Sequence, residues 1–173
     1  MDGPAPGEQH DEPRADPADV AIRRATAADV PAVLELRLAF DRELAGELPP
    51  DRAPAHVASV REYLESHLPD GRFLAWMAEA PDATLVGLAG MVVIDRPPHP
   101  RSRRPGEGFV YNVYTVPAWR RRGVARRLME AVLDEARALR LRRVLLRTSD
   151  DGRALYDELG FVDPGYYRQL DLD

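Results

Sequence analysis

The sequence predicts a mixed α/β layered domain, a sheet flanked by helices in the order β-α-α-β-β-β-α-β-α-β. Three observations carry this expectation. Apolar residues at helical spacing take turns along the chain with short runs of β-branched and aromatic residues. A strand pair with a tight turn precedes a strand–turn–helix segment, so antiparallel and crossover connections occur in one chain. The length, 173 residues, suits a single core.

Residues 1–19 hold four prolines, six acidic residues and no Leu, Ile, Val or Phe. Such a stretch buries too little apolar surface to offset its ordering entropy, so a disordered tail is expected, with the domain running from 20 to 173. Val20–Arg23 reads as a strand. Thr26 and Asp29 read as a capping box opening a helix with Val30, Val33, Leu34, Leu38 and Leu44 on its buried stripe, ended by Pro49-Pro50. Pro54 opens a second helix, buried through Val57, Val60, Tyr63, Leu64 and Leu68 and stopped by Pro69-Asp70-Gly71. Phe73–Ala78 and Leu85–Ile94 read as a hairpin about Pro81-Asp82-Ala83. Arg96–Gly106, with four prolines and four arginines, reads as a surface loop. Phe109–Val116 is rich in aromatic and β-branched residues and reads as a strand ended by Pro117. Val124, Leu128, Ala131, Val132, Ala136 and Leu139 mark a long amphipathic helix; Val144–Leu146 a buried strand; Gly152–Leu159 a short helix; and Phe161–Leu172 a closing strand or hairpin.

Composition excludes much chemistry. There is no cysteine, and all 24 basic residues are arginine. A Schiff-base or phosphate-loop lysine, a thiolate nucleophile and a Cys-ligated metal site are therefore ruled out, and His56, His67 and His99 lack metal-ligand spacing. No apolar run approaches the ~20 residues of a spanning helix, and no signal pattern opens the chain; a cytoplasmic protein without membrane contact is expected. The net charge of −5 is uneven: residues 96–153 carry 15 Arg and 6 acids, a balance of +9, and the remainder a balance of −14. One basic stretch in an acidic chain favours a small phosphorylated ligand over nucleic acid.

That stretch contains Val116-Pro117-Ala118-Trp119-Arg120-Arg121-Arg122-Gly123-Val124-Ala125. The first turn of a helix has N–H groups without internal partners and, with the helix dipole, favours an anion. Gly123 admits close backbone approach. Arg121, Arg122 and Arg126 stand beside it as ligand-facing candidates, Arg120 as a ligand or a structural contact, and Trp119 as a cap or a cofactor cover. Arg137, Arg140, Arg142 and Arg143 are expected on solvated faces. The segment lacks G-x-G-x-x-G, so it is not a dinucleotide fingerprint.

Here the sequence resembles the GCN5-related N-acetyltransferases (GNAT). Their acetyl-CoA signature, [RQ]-x-x-G-x-[GA] after V-x-P, reads Arg120-Arg121-Arg122-Gly123-Val124-Ala125 after Tyr114-Thr115-Val116-Pro117, and their L-Y-x-x-x-G-F motif reads Leu155-Tyr156-Asp157-Glu158-Leu159-Gly160-Phe161. The resemblance covers residues 20–173. It implies the GNAT fold, a central mixed twisted sheet flanked by helices, whose fourth and fifth strands splay. It implies acetyl-CoA as co-substrate, with the pantetheine arm along Tyr114, Thr115 and Val116. The pyrophosphate would sit on the Arg121, Arg122, Gly123, Val124, Ala125 and Arg126 amides, and an amide near Val116 would polarise the thioester. No metal is implied.

Direct acetyl transfer to a primary amine of a small molecule or peptide follows from the resemblance, with Tyr156 protonating the leaving thiolate. Many relatives carry a glutamate base where this chain has Asn112. Asn112 takes no proton but can orient a water or bind substrate; Tyr111 is another candidate, and Glu43 and Glu47 at the end of the first helix and Glu107 just before the strand read as ordinary surface carboxylates or as a base at the groove. Ser149 stands where relatives place an asparagine. Asp41–Glu47 is acidic and suits a cationic acceptor. The alternative is a non-catalytic acyl-CoA-binding or sensing domain, which the missing glutamate leaves open. A homodimer is open by analogy with relatives that dimerise.

Overall fold

The computed structural model describes residues 19–97, 100, 106–165, 168–170 and 172. The tail expected over 1–19 therefore lies almost wholly outside the described residues, as does most of the 96–106 loop. Five strands and four α-helices follow in the expected order: β1 Ala21–Arg24, α1 Val30–Ala45, α2 Ala53–His67, β2 Phe73–Glu79, β3 Leu85–Ile94, β4 Glu107–Thr115, α3 Val124–Ala138, β5 Val144–Leu145 and α4 Asp150–Glu158. The sheet order is β1-β2-β3-β4-β5. β1 to β4 are antiparallel, and β4 and β5 are parallel.

Each face of the sheet carries its own core. β2 is buried on both sides, and its side chains alternate between them as a strand's period requires. Leu74, Trp76 and Ala78 join Val86, Met91, Val110, Val124, Leu128, Met129 and Val132 under α3. Phe73, Ala75 and Met77 join Val30, Val33, Leu34, Leu64, Leu68, Leu88 and Tyr114 under α1 and α2. Each fully buried Leu, Met or Val stabilises by about 1.5–3 kcal/mol, so these two clusters hold both helix layers onto the sheet.

Some ends differ from the sequence pattern, for local reasons. α1 stops at Gly46, whose φ of 79° suits glycine and whose N–H donates to the Arg42 carbonyl at 2.8 Å, rather than at Pro49-Pro50. Its stripe ends near Phe40; Leu44, one turn on, is 71% exposed. Leu139 is likewise exposed because α3 ends one residue before it, while Met129, unmarked in the pattern, is fully buried. Tyr63 is only half-covered. β5 is two residues long. No strand occurs among the described residues after α4: Gly165 takes φ 67° and its N–H donates to Asp163 Oδ1 at 2.9 Å, making a turn at Pro164.

The expected capping box is present at Thr26. Asp29 Oδ2 accepts from the Thr26 N–H at 2.8 Å, and Arg23 grips the same carboxylate through both terminal nitrogens. The Arg23 hydrogen bond, with help from the Thr26 N–H, holds the Asp29 carboxyl at about 2, well below its ordinary range. The folded-state value is depressed, so this contribution is complete above the unfolded carboxylate pKa of ~3.9 and is lost as pH falls to about 2. Acid titration of the thermal midpoint should show that loss, and Asp29→Asn should be less stable at neutral pH and flatter across the window.

Candidate active site

The β4–β5 pairing holds at Gly108↔Val144 and Phe109↔Leu145 and goes no further. Beyond Phe109, β4 runs on for six residues with only β3 beside it, leaving one edge of its backbone open. Within this open stretch β4 bulges. Gly90 faces Tyr111 and Leu88 faces Tyr114, so Asn112 and Val113 share the single residue Ala89. Asn112 takes φ 58°, a left-handed conformation that Asn tolerates better than most residues.

Alternation along the strand decides which amides face the opening. The Val116 N–H donates to the Val86 carbonyl at 3.0 Å, so it points into the sheet. The expectation that this amide would be available to a ligand is corrected by that bond. One residue earlier the backbone turns the other way: the Thr115 carbonyl faces outward and accepts from Arg120 Nε at 2.9 Å. The Thr115 N–H shares that edge, as does Val113 by the same period. The Tyr114 side chain is buried against the α1 side, with its ring edge on Phe40 at 6.1 Å.

After β4, Pro117–Trp119 form one 3₁₀ turn, Arg120 is extended, and Arg121 (φ 59°) and Gly123 (φ 81°) are left-handed before α3 opens at Val124. A Cβ on Gly123 would meet nothing within 4 Å. Glycine is thus called for by φ, and the space in front of it is open. The first helical N–H to bond back is that of Arg127, to the Gly123 carbonyl at 3.1 Å. The Val124, Ala125 and Arg126 amides precede it and have no intrahelical acceptor. A negative group there gains about 0.3–1 kcal/mol from the dipole alone.

The arginines divide by role. Arg120 is structural: it binds the Thr115 carbonyl and Glu43 of α1 and lies over the Tyr114 ring at 5.9 Å, pinning the end of β4 to α1. The Glu43 carboxylate raises the Arg120 pKa further above neutral. Arg122 stacks on Trp119 at 4.3 Å, a cation–π pair at the mouth of the turn. Arg126 pairs with Glu158, tying the start of α3 to the end of α4. Arg121 is exposed. Arg143, expected on a solvated face, instead binds Glu107 at 2.7 Å; Glu107 is 3% exposed and also meets Arg96 at 3.2 Å. Glu107 is therefore a buried structural carboxylate. Glu43 is spent on Arg120, and Glu47 lies exposed beyond α1.

Tyr156 sits on α4, half-buried against the core under α3. Burial pushes its phenol up from the ordinary value. The Gly-Phe of its motif has a local cause. Gly160 is left-handed (φ 87°), its N–H donates to the Asp157 carbonyl at 3.0 Å, and the Phe161 N–H donates to the Tyr156 carbonyl at 2.9 Å. This is a Schellman cap, and Phe161 closes it edge-on to the Tyr156 ring at 5.8 Å. Gly152, one turn earlier, leaves room for that ring; a Cβ there would come within 3.0 Å of it.

A cavity of about 460 Å³ opens on the other side of the bulge, between α1, α2, β3 and β4. Val33, Val60, Leu64, Phe73 and Val92 form its apolar wall, and Arg37, Ser59, Tyr63, Tyr111 and Asn112 its polar lining. Arg37 donates to Asn112 Oδ1 and binds Asp41 at 3.1 Å; the other Asp41 oxygen lies 2.9 Å from His56 Nε2. Neither Arg37 nor His56 stood out in the sequence, because single polar residues on a helix carry no signal of a cross-layer partner. Ser149 is exposed at the start of α4. Among the described residues no group of three or more Asp, Glu or His could hold a metal, and no helix is long and apolar enough to cross a membrane. Gly160→Ala should force a Cβ into the left-handed region at about 1–2 kcal/mol, lowering the thermal midpoint and loosening Tyr156, read as a loss of its ring-current shift from Phe161 by NMR.

The model of the acetyltransferase (GNAT) family matches residues 35–161. No curated protein matches the chain. Among solved structures, a predicted acetyltransferase from Clostridium acetobutylicum, crystallised with acetyl-CoA, superposes with a TM-score of 0.77 at 24% identity, covering 88% of this chain and 96% of that one. A GCN5-related N-acetyltransferase from Ralstonia eutropha JMP134 gives 0.75 at 24% identity, with 89% and 99% covered. A ribosomal-protein-alanine N-acetyltransferase from Brucella melitensis biovar Abortus 2308 gives 0.66 at 20% identity, with 89% and 99% covered. These likenesses agree with the fold, and the family match over most of the chain decides the assignment: this protein is a member of the GNAT acetyltransferase family.

Proposed function

We propose that the protein is an acetyl-CoA-dependent N-acetyltransferase that moves the acetyl group directly to a primary amine. One observation carries the reading: a strand edge with no neighbouring strand leads, through one 3₁₀ turn and Gly123, to a helix N-terminus whose first amides have no intrahelical acceptor. An acyl-pantetheine arm presents amide groups that can pair with such an edge, and its pyrophosphate matches such a helix end. The Val124, Ala125 and Arg126 amides, with Arg121, Arg122 and Gly123 leading into them, hold the pyrophosphate. The Thr115 N–H, with Val113, pairs along the arm and polarises the thioester carbonyl.

The amine attacks that carbonyl in a ternary complex. The C–N bond forms, the C–S bond breaks, and the thiolate takes a proton. Tyr156 is the donor: its phenol stays protonated through neutral and mildly alkaline pH because burial raises its pKa. Asn112 faces the acceptor cavity. With one Oδ1 lone pair taken by Arg37, its amide nitrogen and second lone pair can bind substrate or a water; a neutral amide takes no proton, so proton loss from the amine goes through water. The composition agrees, since direct transfer needs no cysteine.

The test is thiol release from acetyl-CoA across an amine panel, with thermal stabilisation by acetyl-CoA as the binding control. Tyr156→Phe should lower kcat by about 10²–10⁴-fold while acetyl-CoA still stabilises the fold. In the parent enzyme the activity Tyr156 carries should persist to alkaline pH and fall only as pH rises through its raised pKa. Asn112→Ala should lower turnover at saturating acetyl-CoA; unchanged turnover removes Asn112 from the reaction. Binding without thiol release from any amine would favour a non-catalytic acyl-CoA-binding domain.

A further inference from the structure

The acceptor cavity has a definite electrostatic character. Among its lining residues there is one cation, Arg37, and no Asp or Glu. Of the acids that the sequence offers for a cationic acceptor, Asp41 and Glu43 are paired within the protein, and Glu47 lies exposed beyond α1, off the lining. Asp41 is held at both oxygens, by Arg37 at 3.1 Å and His56 at 2.9 Å, and Glu43 is held by Arg120. Every other polar group on the lining carries a donor: the Asn112 amide, the Ser59 hydroxyl and the Tyr63 and Tyr111 phenols.

Arg37 is pre-oriented. One terminal nitrogen donates to Asn112 Oδ1, the other binds Asp41, and the guanidinium lies over the Phe40 ring at 5.7 Å. Two of its five N–H donors are accounted for, so the fork keeps donors for a further acceptor. The clamp also fixes Asn112: with Oδ1 toward Arg37, its NH₂ is presented to the cavity.

We infer that the acceptor is an amine that also bears a carboxylate and an apolar body, such as an apolar α-amino acid, with the carboxylate bound by Arg37 and the Asn112 amide. The apolar body lies against Val33, Val60, Leu64, Phe73 and Val92. The amine is thereby left on the bulge side, toward the open edge of β4. A polycationic amine does not suit this lining, because it would meet a guanidinium and donors with no carboxylate to pair. The inference deepens the transfer reading only in the fate of the amine; the carboxylate site stands on the cavity itself.

Calorimetry on the CoA-bound protein compares leucine and phenylalanine with their decarboxylated counterparts, isoamylamine and phenethylamine. The amino acids should bind at least tenfold more tightly, and Arg37→Gln should abolish that preference while acetyl-CoA still stabilises the variant. In the thiol-release assay the same change should raise KM for the amino acid far more than it alters kcat. Equal or tighter binding of the decarboxylated amines, or no binding by any of the four probes, overturns the inference without need of the variant. A preserved carboxylate preference with no thiol release would leave the carboxylate site standing and overturn acetyl transfer.

Discussion

The structure depends on one interrupted pairing. β4 and β5 share a register for two residues and then part, so the backbone of β4 reaches its C-terminal end with no strand along one edge. An exposed edge is ordinarily a hazard in a sheet. Here it leads into Gly123 and the first turn of α3, where further amides lack partners by construction. A row of strand amides and a helix N-terminus, end to end, form a continuous polar track. The surrounding contacts hold it open: Arg120 pins the strand end to α1, and Arg126 ties the start of α3 to α4.

The bulge at Asn112 links this track to the second half of the site. An extra residue in β4 re-aims the strand and puts Asn112 on the α1–α2 side, where Arg37 fixes its amide. The position is filled by a residue suited to a left-handed bulge and to hydrogen bonding. Burial pushes Tyr156 toward its neutral form, and Glu107, the deeply buried carboxylate among the described residues, is paired with two arginines at the paired end of β4, away from the opening.

Much of this was legible in the sequence because it is local. Helical and strand periods marked every element that positions the site, and Gly123 and Gly160 sit where left-handed turns are required. The Arg120–Ala125 and Leu155–Phe161 motifs marked the turn and the tyrosine helix. What was hidden is set by contacts between distant segments. The partner of the Val116 amide follows from the β3–β4 register, which an extra residue at Asn112 shifts. The Arg37–Asp41–His56 chain joins two helices and, through Asn112, a strand, and no one of its members shows its partners in the sequence. The same limit made Arg143 and Glu107 look solvated, although each is half or fully buried in a pair.

The central claim, that the open β4 edge and the α3 N-terminus together hold an acyl-CoA, is tested most directly by residue-resolved amide hydrogen exchange with and without acetyl-CoA. The account predicts new protection at Thr115, Val113 and Val124–Arg126, with little change at Val116, which is already bonded to Val86. Protection confined to other parts of the chain, with these amides exchanging as before, would contradict it.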